Sequence, residues 1–130
     1  MVDDFEPWRQ LVCFMLEEQP DLQVVGEAKD GLEAIQKAIE LKPDLVLLEI
    51  DLAGVTGLEV ARRIAEAARN VKILFVSQIN DADVIAAALS DGAYGYILKI
   101  DAGTELMPAI SATVRGENFV NRQANGLKRP

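Results

Sequence analysis

Apolar and polar positions alternate between two periods along this chain. Three short runs are almost wholly apolar: Leu45 to Leu48, Val71 to Ser77 and Ala93 to Leu98. Runs of this length, bounded by turn residues, read as strands buried on both faces. Between them apolar residues recur at helical spacing. Leu11, Val12, Phe14, Met15 and Leu16 mark a first helix, with Pro7 suited to its opening turn and Pro20-Asp21 ending it. Leu32, Ile35 and Ile39 mark a second, opened by an Asp30 cap with Glu33 as its reciprocal acid and stopped by Pro43. Leu58, Val60, Ala61, Ile64, Ala65 and Ala68 form a third. Val84, Ile85, Ala88 and Leu89 form a fourth, capped by Asn80 or Asp81 and ended by Gly92. A fifth is expected from near Thr104 to Arg115, with Pro108 awkward inside it. The valine-rich stretch Leu22 to Glu27 reads as one more strand. No period is visible from Asn118 onward.

Strands alternating with helices predict an α/β fold, a parallel sheet with helices on both faces. Right-handed crossovers bring the carboxyl ends of such strands to one edge, where open α/β sheets bind their ligands. The residues at those ends are Asp3-Asp4, Glu49, Ser77 and Lys99. Three acids, a hydroxyl and an ammonium suit a divalent cation together with a phosphoryl group. The metal screens the acids, while the hydroxyl and the lysine bind phosphoryl oxygens. Taken singly, Ser77 reads as a strand-end hydroxyl and Lys99 as a solvated lysine, so the inference rests on the set. Gly54 and Gly57, just past Glu49, suit a tight loop ahead of a helix.

Composition narrows the chemistry. At 130 residues the chain holds one domain, and with half its residues hydrophobic it is expected to fold. The net charge of −8 argues against bulk binding of nucleic acid. The end of the chain differs: from Arg115 there are four basic residues against one acid, which reads as a solvated basic tail. A single cysteine, Cys13, excludes an internal disulfide and is expected to be buried packing. With no long apolar run and no signal peptide, a cytoplasmic protein without a membrane partner is expected. There is no histidine, which rules out a Ser-His-Asp or Cys-His site and any His-ligated metal. A bound metal would be held by oxygens. The sequence also lacks a G-x-G-x-x-G loop, so an enzyme or cofactor binder on this fold is not expected.

The constellation resembles the receiver domain of bacterial response regulators, over Asp3 to about Phe119. Gly26-Glu-Ala-Lys-Asp-Gly-Leu-Glu-Ala-Ile35 and Gly92-Ala-Tyr-Gly-Tyr-Ile-Leu-Lys99 look like the NarL/FixJ-type subfamily, as does Gly116-Glu-Asn-Phe119. The resemblance implies a flavodoxin-like (βα)5 doubly wound sheet of order 2-1-3-4-5. It implies residues 1–119 as the receiver and 120–130 as a basic tail or linker start, the output domain being absent from this chain. It makes Asp3 and Asp4 the acid pair, Glu49 the phosphoacceptor position, Ser77 the switch hydroxyl, Tyr96 the switch aromatic and Lys99 the conserved-type lysine. Mg²⁺ would be held by Asp3, Asp4, Glu49 and the Asp51 backbone carbonyl. The implied partner is a sensor histidine kinase, in a phosphorelay. Homodimerisation is a further implied possibility, and no direct nucleic-acid contact by this chain is expected.

Three departures from the family pattern matter. The acceptor position carries Glu, whose extra methylene moves the carboxylate by roughly 1.5 Å, and misplacement of ~1 Å can cost ~100-fold in rate. Phosphorylation at Glu49 is therefore not expected, and the chain reads alternatively as a phosphorylation-independent docking or dimerisation module. Only Met1-Val2 precede the acid pair, so the first strand, usually about five or six residues long, is nearly missing. Ala53 stands where a proline is usual in the acceptor loop. Ile100 stands where many receivers have proline after the lysine, which leaves the Lys99–Ile100 bond open to either isomer.

Overall fold

The computed structural model describes residues 1–121. The basic tail expected over 120–130 lies outside the described residues from 122 on. In chain order the elements are α1 (Glu6–Glu17), α2 (Gly31–Leu41), β1 (Leu45–Leu48), α3 (Gly57–Ala67), β2 (Lys72–Ser77), α4 (Ala82–Ser90), β3 (Gly95–Leu98), a 3-10 turn (Lys99–Asp101), α5 (Ala102–Val114) and β4 (Phe119–Val120). The four strands form one parallel sheet in the order β1-β2-β3-β4. Leu48 stands opposite Phe75, and Ser77 opposite Leu98.

Side chains on a strand point alternately to opposite faces, and this sheet separates two cores accordingly. Val46, Leu48, Ile73, Phe75, Tyr96 and Leu98 pack with α2, α3 and α4. Leu47, Leu74, Val76 and Ile97 pack with Val12 and Leu16 of α1 and with Leu106, Ala109 and Ile110 of α5. Phe75 and Tyr96 meet across neighbouring strands with ring centres 6.0 Å apart. Asp30, Thr56 and Asp81 cap α2, α3 and α4 by accepting backbone N–H bonds.

Ahead of the acid pair the structure has isolated bridges and no strand. Val2 alone bridges Ala28 on one side and Leu48 on the other. Its N–H donates to Leu47 O, and its C=O accepts from Glu49 N. The spatial order 2-1-3-4-5 thus survives as single bridges at its first two positions. The strand expected at Leu22 to Glu27 does not form. Burial alternates along that stretch as in a strand, but the neighbour that would pair with it is only two residues long.

Other expectations need adjusting. The Glu33 side chain accepts from Lys29 N rather than from the N–H of the Asp30 cap, so the reciprocal bond lies one residue further out. Helix α5 begins at Ala102, two residues before Thr104, which puts Pro108 well inside it. Pro108 and Thr104 both lie on the exposed side, so the carbonyl that loses its N–H partner faces water. The stretch after Asn118, without a period in the sequence, supplies β4 and a buried Asn121. No cis peptide occurs among the described residues, so Lys99–Ile100 is trans. Cys13 is buried in α1, as expected of a packing residue.

Candidate functional site

The carboxyl edge of the sheet gathers most of the residues that the sequence points to. Glu49 follows β1 directly and is 2% exposed. Its position is set from below by Gly57 at the start of α3. A Cβ there would lie 2.1 Å from the Glu49 carbonyl oxygen. Only glycine lets the helix approach this closely, and the Gly57 N–H donates to Ile50 O at 2.8 Å. Gly54 makes the turn between them at φ 83°.

Both carboxylate oxygens of Glu49 are engaged inside the protein. Oε2 accepts from Ile50 N at 2.6 Å and from Asp51 N at 3.3 Å. Oε1 lies 3.0 Å from the Lys99 ammonium. Lys99 is brought there by the 3-10 turn after β3, and it also reaches Asp3 Oδ2 at 2.6 Å. That short contact is an ion pair. Asp3 is fully buried, and its Oδ1 accepts from Phe5 N at 2.9 Å. Burial by itself lowers the Lys99 pKa, and the hydrogen bonds and charges of Asp3 and Glu49 more than reverse this, leaving it above its ordinary value.

Asp3, Glu49 and Lys99 are thus in direct contact. Asp4 is exposed and shares with them a cleft of about 300 Å³. Asp51 lines that cleft too. Ser77 does not join the group. It is buried, and its Oγ accepts from Ile79 N at 3.0 Å. Tyr96 lies beneath the sheet edge with its ring wholly buried, and its hydroxyl donates to Ile79 O at 2.7 Å. Burial pushes the Tyr96 phenol up, while the Ser77 hydroxyl beside it pulls the other way. Ser77 and Tyr96 therefore meet at the Ile79 backbone, one layer away from the acids.

Four residues at the site were not singled out in the sequence. Phe5 and Gln78 line the cleft. The Trp8 ring lies 5.3 Å from the Lys99 ammonium. Arg9 donates to the Asp3 carbonyl at 2.7 Å and reaches Glu27 at 3.5 Å. Trp8 and Arg9 lie in the first turn of α1, ahead of the apolar face that the sequence marks from Leu11. Their one signal is position, within a turn of the acid pair.

A hard cation takes oxygen ligands, and the acids here are of that kind. Their arrangement is not. Among the described residues, no three acidic side chains close on one point. The place between Asp3 and Glu49 is filled by the Lys99 ammonium, so the residues as arranged do not fit a divalent ion.

A parallel α/β sheet with acids and a lysine gathered on its carboxyl edge places them where open α/β folds bind ligands. The response regulator receiver domain profile matches residues 1–111, and the chain belongs to that family. It is a signalling module of a two-component system rather than an enzyme. The transcriptional regulatory protein LiaR of Bacillus subtilis is 35% identical over 126 residues, which are 97% of this chain and 60% of LiaR. The oxygen regulatory protein NreC of Staphylococcus aureus is 35% identical over 93% of this chain and 56% of NreC. The chain therefore spans little more than half the length of these curated relatives. A LuxR-family two-component response regulator from Aurantimonas sp. SI85-9A1 superposes with a TM-score of 0.86 at 32% identity, covering 90% of this chain and 84% of that one. Among the described residues, no helix is long and apolar enough to cross a membrane.

Proposed function

We propose that this chain is a receiver module whose state is set by contacts with other proteins and not by phosphoryl transfer to residue 49. In this reading Glu49 stands at the acceptor position, Asp3 and Asp4 are the acid pair, Ser77 and Tyr96 form the switch pair, and Lys99 is the site lysine. The receiver unit is residues 1–119, with Val120 and Asn121 finishing its edge. The observation that carries the reading is the engagement of both Glu49 oxygens. A nucleophilic carboxylate must present a lone pair to an incoming phosphorus in line with the leaving group. Here Oε2 is turned back onto the backbone amides of Ile50 and Asp51, and Oε1 is tied to Lys99. The extra methylene makes that turn-back possible. The paired carboxylate also carries one charge, against about two on a phosphoryl group.

The partner expected of the family, a sensor histidine kinase, would then dock without lasting transfer. Transcriptional control is the output class suggested by LiaR. The test is incubation with acetyl phosphate and Mg²⁺, followed by intact mass. The wild-type chain is expected to gain no phosphoryl group, and Glu49→Asp to gain one. Labelling of the wild type at Glu49 would overturn the reading.

A further inference from the structure

We propose that Lys99 is the resident cation of this site: its ammonium holds the position between Asp3 and Glu49 that a divalent ion would need, so the cleft does not take up Mg²⁺. The inference rests on the reading of Glu49 as the acceptor-position acid, and it adds what stands in the metal's place.

Three observations converge on it. The first concerns the donors around the acids. Asp3 Oδ1 accepts from Phe5 N, and Oδ2 is ion-paired with Lys99. Glu49 Oε1 is bonded to Lys99, and Oε2 to two backbone amides. All four oxygens therefore face a hydrogen-bearing nitrogen, and a metal ion approaching any of them meets a positive or partly positive group. Mg²⁺ asks for near-octahedral oxygens at ~2.0–2.1 Å and gives up its waters reluctantly. It would have to evict Lys99 to bridge the two acids.

The second observation is that Lys99 is held from its other side. Its ammonium lies over the Trp8 ring at 5.3 Å, and its side chain is 16% exposed. An aromatic face in this range attracts a cation, and the half-closed site makes withdrawal into water costly. The third is charge. The two buried carboxylates already share one internal positive charge. The acids that remain in the cleft, Asp4 and Asp51, are both exposed, where water screens their charge. Together they offer an incoming ion far less than a full carboxylate cluster.

Glutamate is what lets this arrangement close. Its longer side chain reaches Lys99 with one oxygen while the other stays on the backbone. An aspartate carboxylate at the same position ends about one bond short.

The structure also supplies the reporter. Trp8 is the only tryptophan in the chain, and it touches the lysine that a metal would displace. The full chain is titrated with MgCl₂ at constant ionic strength, with Trp8 fluorescence and calorimetry read in parallel. The wild type is expected to show no saturable change into the tens of millimolar. Lys99→Met, checked by circular dichroism, is expected to bind Mg²⁺ at least tenfold more tightly than the wild type. Glu49→Asp keeps the lysine but shortens the acid, and it should gain affinity as well. Saturable sub-millimolar binding by the wild type would overturn the proposal, as would an unchanged response in both variants. Acetyl phosphate labelling decides the functional reading separately. A wild-type chain that binds Mg²⁺ yet takes no label would sink this inference alone.

Discussion

The two edges of the sheet are built very differently. At the far edge, β3 is completed by β4 and then clasped. Asn121 is buried, accepts from Leu98 N, donates from its amide to Asp101 Oδ2, and donates its own N–H to Tyr96 O. Three bonds from one side chain and its backbone fix the end of β3, and with it the turn that carries Lys99. At the near edge a single residue, Val2, stands between Ala28 and Leu48. Beyond it only single bonds continue, Met1 O accepting from Ala28 N and the Met1 amine donating to Gly26 O, and 22–27 forms no strand. Asp3 is held there by one backbone bond, its N–H donating to Ala28 O, and by side chains: Arg9 on its carbonyl and Lys99 on its carboxylate. The site is therefore assembled from a rigid wall and a tethered one. Lys99 stands on the clasped edge, while Glu49 follows β1 and stands with Asp3 and Asp4 beside the near one.

The largest expected effect lies at the centre, where the two walls share a core. Phe75 is wholly buried on β2, and Phe75→Ala is expected to cost ~3–5 kcal/mol in urea unfolding. A loss under about 1 kcal/mol would mean that the centre is not the common support.

Next comes the near edge itself. The Met1 amine donates to Gly26 O at 3.2 Å, along the line that a longer strand would follow. Adding three apolar β-branched residues ahead of Met1 should bury ~1.5–3 kcal/mol per side chain against a backbone ordering cost of ~1–2 kcal/mol each. A net gain of about 2 kcal/mol, a rise of several degrees in Tm, is expected. New protection from hydrogen exchange should appear at Val24 and Gly26. An unchanged Tm without such protection would show that the edge has no place for a strand.

Asn121→Ala attacks the far edge. It leaves the Leu98 N–H without its side-chain acceptor, at a cost of about 1.5 kcal/mol. Because the clasp positions the Lys99 turn, exchange at Ile100 and Asp101 should rise more than at Val2. The reverse ranking would break the comparison.

The smallest effect concerns the Met1 ammonium. Burial lowers its pKa below the ordinary 8.0. Between the lowered value and 8.0 the unfolded chain binds more protons than the folded one, so stability rises with pH across that window and is level above it. Acetylating the amine should flatten this part of the stability–pH curve. A slope that survives acetylation must come from another group.

Much of this was legible in the sequence, and the reasons are local. Apolar runs gave β1, β2 and β3 because a strand buried on both faces tolerates little else. The caps at Asp30 and Asp81 follow from side chains that bond their own helix's first amides, while the Thr56 cap of α3 came from the structure. Gly57 was marked as a loop glycine, but only the structure gives its reason, a helix end pressed against the Glu49 carbonyl. The stretch 22–27 misled because valines and alternation describe a strand's faces and say nothing about whether its neighbour exists. Asn121 escaped notice because a polar residue after a glycine-ended helix reads as solvated tail.

By itself, then, the sequence determined the layered α/β architecture, the strand-end acids and lysine, and the glutamate that stands at residue 49. These are matters of residue type and spacing along the chain. The tertiary structure alone decided that Lys99 faces Asp3 and Glu49 at once, that Ser77 and Tyr96 close on the Ile79 backbone instead, and that one edge is clasped while the other hangs on Val2. Each of these joins residues far apart in sequence, and such contacts are fixed by how the two cores pack around the sheet.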